Sequence, residues 1–285
     1  MQTASTIAEV REQVRAWRRE GLSVGLVPTM GYLHAGHASL IERAAADNDR
    51  VVVSDFVNPT QFAPNEDLER YPRDFDRDCR VAEEAGASLV FHPTPEEMYF
   101  PDRCTFVDMD ALTDELCGVT RTIHFSGVCT VVSKLLNIVG PDRAYFGQKD
   151  AQQLSVVRRM VRDLNFDVEI VGCPIVREDD GLAMSSRNAY LSPEERTAAL
   201  CLSRAIFAGQ RMAEAGEREA APILARMREI IEAEPLARID YVKMVDFENI
   251  VQIERIDEER PALVAIAVYI GTTREIDNFV FDPRA

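Results

Sequence analysis

Two histidines three positions apart stand in the loop that follows the first predicted strand. The loop reads PTMGYLHAGH over residues 28–37, and the residues after it, ASLIE, predict a helix. Unpaired backbone N–H groups and the positive dipole end of a helix N-terminus favour an anion. The imidazoles of His34 and His37 add donors that gain value as phosphate charge grows. Because Gly31 and Gly36 allow close backbone approach, the loop is predicted to bind phosphate, ordinary surface or core histidines being the alternative.

Uncharged amides follow the second predicted strand, in SDFVNPTQF over residues 54–62. Asn58 and Gln61 can orient a ligand without the desolvation cost of a charge. We therefore predict that these amides orient a substrate, with an ordinary Asn-Pro turn as the alternative. The charged loop EDLERYPR, residues 66–73, is interpreted as a solvated surface.

A third strand-to-helix junction carries a lysine, in AYFGQKDAQQ over residues 144–153. Lys149 is a compact point charge suited to phosphate. Asp150 can cap the helix and accept hydrogen bonds from ribose hydroxyls. Gln153 lies one helical turn later, on the same helix face as Asp150. A simple glycine turn with an aspartate N-cap is the alternative. Farther along, AMSSRN at residues 183–188 offers two hydroxyls and a guanidinium for a polyphosphate, an exposed loop being its alternative.

Short β-branched runs alternate with longer amphipathic stretches in the first part of the chain. This alternation predicts right-handed crossovers and a mostly parallel, Rossmann-like α/β sheet flanked by helices. Ligands bind beyond the carboxyl ends of the strands in such sheets, which is where the three junctions fall. The predicted strands are Leu22–Val27, Arg50–Phe56, Ser88–His92, Arg143–Phe146 and Asp167–Gly172. The predicted helices are Ile7–Glu20, Gly36–Asp47, Asp74–Ala85, Val128–Val139 and Asp150–Leu164.

The pattern changes after Gly181. Ser192, with proline and glutamate following it, is typical of a helix N-cap, and we predict a helix from there to about Ala215. Residues 1–182 are interpreted as a ligand-binding domain and residues 183–285 as a smaller α+β domain, joined by a hinge. The predicted hinge is Pro174–Gly181. The remaining predicted elements are a helix over about Ala220–Glu232 and strands over Asp240–Val245, Leu263–Ile270 and Arg274–Phe279.

Composition narrows the possible functions. The 285 residues carry 48 Asp and Glu against 32 Lys and Arg, a net charge of −16, so the basic footprint of a general nucleic-acid binder is missing. No apolar run approaches the ~20 residues of a membrane span. Residues 1–20 lack the apolar segment of a signal peptide, so we expect a cytoplasmic location. None of the six cysteines lie at zinc-ribbon spacing, which favours reduced thiols.

The chain resembles the pantothenate synthetase family, the pantoate–β-alanine ligases, in six strings that occur in order: PTMGYLHAGH, FVNPTQF, EDLERYPR, HFSGV, AYFGQKDAQQL and GLAMSSRNAYLS. The likeness runs from about Val27 to Leu191, and more loosely to Asp277 and Asn278. TMGYLHAGH and MSSR are also similar to the HIGH and KMSKS signatures of the wider nucleotidyltransferase superfamily.

The resemblance implies a reaction in two steps. ATP and pantoate give pantoyl adenylate and pyrophosphate with Mg²⁺, and the amine of β-alanine then attacks the activated carbonyl to give pantothenate and AMP. Residues 1–182 would then bind ATP and pantoate, and residues 183–285 would form a lid that protects the adenylate from water. The resemblance also implies a homodimer.

Roles for individual residues follow from the same resemblance. His37 matches the catalytic, proton-donor position, and His34 and Lys149 match residues that support phosphate. Gln61 matches the glutamine that contacts both pantoate and β-alanine, and Gln153 matches the second pantoate amide. The implied ATP-binding residues are Met30, Gly31, Tyr32, Leu33, His34, Ala35, Gly36, His37, Gly147, Gln148, Lys149, Asp150, Val176, Met184, Ser185, Ser186 and Arg187. No protein ligand for Mg²⁺ is implied, since ATP phosphates and water can hold the ion.

Three residues depart from the family pattern. Gln148 replaces the usual glutamate and alters the charge beside the lysine, and Ala151 replaces an aromatic residue. Asp55 replaces an apolar residue, which puts a carboxylate either near the strand end that faces the site or into solvent.

Other functions fit the residues less well. A nucleotidyltransferase with a phosphate acceptor would want cations where this chain has Gln61 and Gln153. A non-enzymatic nucleotide-binding module would not need His37 and Lys149 together with the MSSR string. A generic dinucleotide oxidoreductase would carry the G-x-G-x-x-G fingerprint, and a P-loop enzyme would carry the Walker lysine; the chain has neither.

Overall fold

The computed structural model describes residues 1–64 and 66–284. Its contacts divide the chain into two compact units. The first comprises residues 1–109, 121–148 and 156–174, and the second comprises residues 110–120, 149–155 and those from Ile175 onward. The predicted domain boundary between residues 182 and 183 stays a prediction. Among the residues described, no helix is both long and apolar enough to cross a membrane.

A parallel sheet, to which the described residues contribute six strands, forms the centre of the first unit and confirms the predicted sheet type. The strands are β1 (Gln2–Ala4), β2 (Val24–Thr29), β3 (Arg50–Asp55), β4 (Leu89–Phe91), β5 (Arg143–Gly147) and β6 (Glu169–Cys173). They pair in the order β1-β4-β3-β2-β5-β6, so that β2 lies between β3 and β5. The edge strand β1 was not predicted, because three residues are too few to show a β period.

Within residues 1–64 and 66–284, ten α-helices surround or follow these strands. They are α1 (Ile7–Arg19), α2 (Ala35–Asp47), α3 (Phe75–Glu84), α4 (Pro95–Met98), α5 (Cys117–Thr120), α6 (His124–Val139), α7 (Ala151–Asp163), α8 (Pro193–Ala198), α9 (Leu200–Glu214) and α10 (Ala220–Glu232). The strands and helices predicted for the first part of the chain are all present, with ends that differ by a few residues. The single helix predicted after Ser192 is instead two helices, α8 and α9.

The largest shift concerns α6, which begins at His124 rather than at the predicted Val128. Gly127, just before the predicted start, lies inside the first turn of the helix. A Cβ atom on Gly127 would come within 2.5 Å of the Gln61 Cα atom. The glycine therefore allows the helix to pack directly against the backbone of Gln61, which is one of the predicted substrate contacts.

The C-terminus of α2 is tied to the sheet of the first unit. At its C-terminus, Asn48 donates from Nδ2 to the Ala44 carbonyl and to the Tyr145 hydroxyl, each at 2.8 Å. Tyr145 lies wholly inside the core, and this burial raises its pKa to about 12. The N-terminus of α2, which carries the two histidines, therefore starts from a fixed helix axis.

The second unit has an antiparallel sheet, built in its described residues from three strands in the order β7-β8-β9, as predicted for an α+β fold. The strands are β7 (Ala237–Asp246), β8 (Ala262–Ile270) and β9 (Thr273–Phe281). The predicted start of α8 is confirmed, because Ser192 Oγ accepts from the Glu195 N–H at 3.2 Å and Glu195 Oε2 accepts from the Ser192 N–H at 2.9 Å. Apolar residues of α9, α10 and β8 form its core.

Candidate functional site

The loop between β2 and α2 has an unusual backbone. Gly31 and Tyr32 both adopt left-handed conformations, with φ of 79° and 51°. For Tyr32, a residue with a Cβ atom, this conformation is disfavoured unless neighbouring contacts hold it. Thr29 supplies one contact at the start of the loop, since its Oγ1 accepts from the Gly31 N–H at 3.2 Å and donates to the Ser54 carbonyl at 2.7 Å.

The two histidines cap the helix with their own side chains. His34 Nδ1 accepts from the Gly36 N–H at 3.1 Å, and His37 Nδ1 accepts from the His34 N–H at 3.3 Å. Their ring centroids lie 4.0 Å apart, which confirms that both imidazoles point to one place. Because each Nδ1 is an acceptor, the neutral rings carry their proton on Nε2. Nε2 is therefore the donor atom of each neutral imidazole.

The expectation that backbone N–H groups of this loop are free to bind phosphate is wrong. Six consecutive or nearby N–H groups already have acceptors inside the chain. The Gly31 N–H donates to Thr29 Oγ1, and the Tyr32 and Leu33 N–H groups donate to the Asp78 carboxylate. The His34 N–H donates to His37 Nδ1, the Gly36 N–H to His34 Nδ1 and the His37 N–H to the His34 carbonyl. These six N–H groups are therefore occupied within the chain, and the prediction that the loop binds phosphate depends on its other donors.

Asp78, on α3, is a residue that the sequence interpretation missed. Its carboxylate is 1% exposed and accepts from the Tyr32 N–H and the Leu33 N–H, each at 2.6 Å. Burial raises the pKa of Asp78, and the neighbouring Asp55 carboxylate adds to this rise. Nothing local in the sequence could show this contact, because the partners are 45 and 46 positions apart.

Asp55 faces the loop, so the alternative that it points into solvent is wrong. It is 3% exposed, and a Cβ atom on Gly31 would lie 2.3 Å from its Oδ1. Its Oδ2 lies 3.5 Å from His92 Nδ1, which is itself 2.8 Å from the Asp55 carbonyl oxygen. The Asp55 carboxylate raises the pKa of His92. A cavity of about 360 Å³ adjoins this group and is lined by Met30, Gly31, Asp55, Asp78 and His92, among others.

The predicted amides form a buried cluster in the first unit. Asn58 donates from Nδ2 to Gln61 Oε1 at 3.0 Å and to the Gly127 carbonyl at 3.2 Å, and its Oδ1 accepts from the Tyr99 hydroxyl at 2.7 Å. Asn58 is thus committed to the protein, and it orients Gln61. Gln61 Nε2 meets the Met30 Sδ atom at 2.9 Å, a weak acceptor that leaves hydrogen-bonding capacity for a ligand.

Two residues of the loop over residues 66–73, Glu66 and Tyr71, contact other residues of the first unit. The interpretation of this loop as a solvated surface is therefore wrong for these two residues. Tyr71 is 6% exposed and packs edge-on against Phe62. Glu66 pairs with Arg121, whose Nε lies 2.5 Å from Oε1. Arg121 in turn lies 3.2 Å from His124 Nε2, and His124 Nδ1 lies 3.1 Å from the Gln61 carbonyl oxygen.

In the second unit, the two adjacent glutamines of α7 have different surroundings. Gln152 is 5% exposed and bonds to the backbone of residues 112–117 from both ends of its amide. Gln153 is only half-buried. Gln152 therefore fixes the backbone of residues 112–117 to α7, and the pantoate contact implied for Gln153 stays a prediction.

The remaining predicted ATP contacts of this unit lie near one another. The Met184 N–H donates to the Val176 carbonyl at 3.0 Å, and Ser185 Oγ accepts from the Arg187 N–H at 3.2 Å. The Lys149 carbonyl accepts from Asn278 Nδ2 at 2.8 Å. Gly147 ends β5 in the first unit and Gln148 directly follows it; both are half-buried, whereas Asp150 is exposed.

A buried acid accompanies the cations of the second unit. Glu275 on β9 is 3% exposed. Burial raises the pKa of Glu275, and the positive charges of Lys149, Arg187 and Arg196 oppose that rise. Two of the predicted phosphate-binding cations, Lys149 and Arg187, therefore influence the pKa of the same buried acid, which sequence spacing does not show. Among the described residues, no three His, Cys, Asp or Glu side chains are grouped so that they could hold a metal ion.

Comparisons with known proteins cover the whole chain. The family model for pantoate-beta-alanine ligase matches residues 2–280. The pantothenate synthetase of Ruminiclostridium cellulolyticum is 62% identical over 283 residues, covering 99% of this chain and 100% of the relative. The enzyme of the same name from Clostridium acetobutylicum is 56% identical over 282 residues, covering 99% and 100%.

Solved structures agree with this match. The crystal structure of pantothenate synthetase from Thermus thermophilus has a TM-score of 0.91 and 49% identity, covering 98% of this chain and 99% of that one. The pantoate-beta-alanine ligase of Francisella tularensis, solved with beta-gamma ATP and beta-alanine, has a TM-score of 0.80 and 30% identity, covering 98% and 97%. The motifs, the fold and these matches together show that the chain belongs to the pantoate–β-alanine ligase family.

Proposed function

We propose that this chain condenses pantoate with β-alanine through a pantoyl-adenylate intermediate. In the first step the pantoate carboxylate attacks the α-phosphorus of ATP, and pyrophosphate leaves. In the second step the β-alanine amine attacks the acyl carbon, and AMP leaves with formation of the amide. The observation that carries the proposal is the histidine pair capping α2, in the same unit as the buried amide of Gln61.

The first step needs alignment and charge stabilisation more than covalent help from the protein. In the proposed mechanism His37 donates from Nε2 to the phosphate oxygen on which charge develops, and His34 supports the same phosphates. Lys149 and Arg187 neutralise the triphosphate and the departing pyrophosphate. The other proposed ATP contacts are Met30, Gly31, Tyr32, Leu33, Ala35, Gly36, Gly147, Gln148, Asp150, Val176, Met184, Ser185 and Ser186.

Gln61 and Gln153 are the proposed pantoate ligands, and Gln61 also serves β-alanine. Gln61 is 6% exposed, and Asn58 holds its Oε1, so its Nε2 has a fixed direction. An uncharged amide can bind a carboxylate nucleophile without the tight ion pair that a lysine or arginine would form. A phosphate acceptor would instead favour cations, so the amides argue against a nucleotidyltransferase that keeps a dinucleotide product.

Several further assignments belong to this proposal. Mg²⁺ enters as the complex with ATP, held by phosphate oxygens and water, which suits an ion that keeps its waters.

Residues 183–285 serve as the lid, and the enzyme acts in the cytoplasm as a homodimer. Exposed Phe100 and Phe106, which are 68% and 57% exposed, supply apolar surface for such an interface. Light scattering of the purified protein measures the oligomeric state directly.

The proposal is tested by ATP–pyrophosphate exchange without β-alanine. We expect exchange only when pantoate is present. Gln61→Glu, which places a negative charge beside the pantoate carboxylate, should abolish exchange, whereas Gln252→Glu makes the same charge change at an exposed position and should leave it intact. Exchange without pantoate, or a folded wild-type protein that shows none under any condition, would overturn the two-step mechanism.

A further inference from the structure

The turn at Gly31, Tyr32 and Leu33 forms a cradle of backbone N–H groups that is already filled. Successive N–H groups in such turns converge on one point and favour an anion there. In this chain the anion is the Asp78 carboxylate, whose two oxygens accept one N–H each at 2.6 Å. Both contacts are shorter than the usual length for a charged hydrogen bond between nitrogen and oxygen.

We propose that Asp78 is a positioning residue of the nucleotide loop, which it holds so that His34 and His37 keep their orientation toward ATP. The inference rests on the proposed function, in that this loop is taken to be the one that meets the nucleotide. Asp78 itself is 1% exposed, so it acts through the loop and not by touching substrate.

The connection from Asp78 to the histidines is short. Leu33, one of the two residues that Asp78 holds, is followed directly by His34, the N-cap of α2. The His34 N–H donates to His37 Nδ1, so a rotation of the backbone at residue 33 moves this N–H and loosens the His37 ring. Tyr32 adopts φ of 51°, a conformation that relaxes readily once its N–H loses its acceptor.

The surroundings of Asp78 show that this contact is maintained against an electrostatic cost. Asp55, a second buried carboxylate, lies beside the same turn, and a Cβ atom on Gly31 would be 2.3 Å from Asp55 Oδ1 and 3.1 Å from Asp78 Oδ2. Two buried acids next to each other are unfavourable without strong partners. The two N–H groups are the partners of Asp78, and His92 lies against Asp55.

The filled cradle also determines how the loop meets phosphate. The N–H groups of Tyr32 and Leu33 cannot bind a phosphate while Asp78 holds them. The nucleotide is therefore met by imidazole Nε2–H groups, whose direction depends on the loop conformation that Asp78 maintains.

The test uses the isosteric variant Asp78→Asn, which replaces one acceptor oxygen with an NH₂ donor. Asp76→Asn is the matched control, since Asp76 is an exposed acid on the same helix. We expect Asp78→Asn to slow pantoate-dependent ATP–pyrophosphate exchange by about 10²-fold, the scale of a misplacement near 1 Å, and to raise KM for ATP. Conversion of supplied pantoyl adenylate and β-alanine should stay within about twofold of wild type, because the second step needs no triphosphate contact.

Nuclear magnetic resonance separates positioning from a general loss of structure. Amide protons that donate to a carboxylate at this distance resonate downfield, so those of Tyr32 and Leu33 should be downfield in the wild type and should move upfield in Asp78→Asn. Asp76→Asn should leave both unchanged. This wild-type measurement requires no variant, and it is independent of whether the substrate is pantoate. Ordinary shifts for both amides in the wild type would overturn the proposal, as would full exchange activity in Asp78→Asn or equal loss of both half-reactions.

Discussion

Replacing His37 with asparagine separates two contributions of its imidazole. In the structure Nδ1 accepts from the His34 N–H at 3.3 Å, and the neutral ring then carries its proton on Nε2. Asparagine places an acceptor oxygen near the Nδ1 position but has no donor at the Nε2 position. His37→Asn therefore keeps the cap of α2 and removes the donor proposed for phosphate. His37→Gln does the reverse, because its longer amide reaches the Nε2 position.

The expected magnitudes follow from these two contributions. Loss of one preorganised donor to developing charge costs roughly 10²–10³-fold in rate, about 2.7–4 kcal/mol. His37→Asn should lower single-turnover adenylation at saturating ATP by this factor, with ATP affinity changing less, since the donor matters most in the transition state. Loss of a helix cap costs about 1 kcal/mol of stability. His37→Gln should therefore be the less stable variant and the more active one.

Single-turnover formation of pantoyl adenylate measures the first effect, and urea unfolding of each variant measures the second. The half-reaction of supplied pantoyl adenylate with β-alanine serves as the internal control, because the triphosphate is absent from it. If His37→Asn forms the adenylate at the wild-type rate while ATP binding collapses, the imidazole only binds ATP. If His37→Gln is the slower of the two, the cap and not the Nε2 donor is what the reaction needs.

Three further predictions concern other parts of the site. Lys149→Ala should severely slow adenylation yet still convert supplied adenylate and β-alanine, whereas Gln61→Ala should impair both half-reactions, each measured in single turnover; the opposite pattern would reverse the two assignments. Gly31→Ala should destabilise the fold more than Gly21→Ala by urea unfolding, because both residues have similar positive φ values, 79° and 77°, but only the former meets a carboxylate oxygen. The pKa of His92 is raised above its unfolded value of 6.5, so protonated His92 stabilises the fold. This contribution is fully present below pH 6.5 and is lost as the pH rises through the higher pKa of the folded state. Urea titrations across this pH window should show the loss in wild type and not in His92→Gln.

The alternation of strands and helices was predictable because its signals are local. The helix predicted over about Ala220–Glu232 has that range in the structure, as α10. The start of α6 was predicted four residues late, because Gly127 has a packing role that no local pattern shows. The break between α8 and α9 at Ala199 was not predicted either. No local pattern shows it, because the Ala199 backbone stays in the right-handed helical region and alanine is a good helix former.

Candidate ligand contacts were predictable from residue type and position at strand ends, but the hydrogen bonds that orient them were not. Asn58 and Gln61 look alike in the sequence, and only the fold shows that Asn58 is fully committed while Gln61 is not. Asp78 could not be identified, because its partners lie on another element. Asp55 was visible as an unusual residue, yet its direction depends on which face of β3 is covered.

The distribution of charge over the proposed site follows from the order of its chemical steps. A carboxylate nucleophile must be oriented but must keep its electron density for attack on phosphorus, and a neutral amide such as Gln61 does this where an arginine would hold the carboxylate in a tight ion pair. The charge that develops on phosphate and pyrophosphate needs compensation, and the groups assigned to it are the cations Lys149 and Arg187. Their positive charges oppose the rise that burial causes in the pKa of Glu275. A bound triphosphate adds negative charge beside Glu275, so in the proposed mechanism ATP binding should favour proton uptake by that carboxyl, and pyrophosphate release should favour its loss.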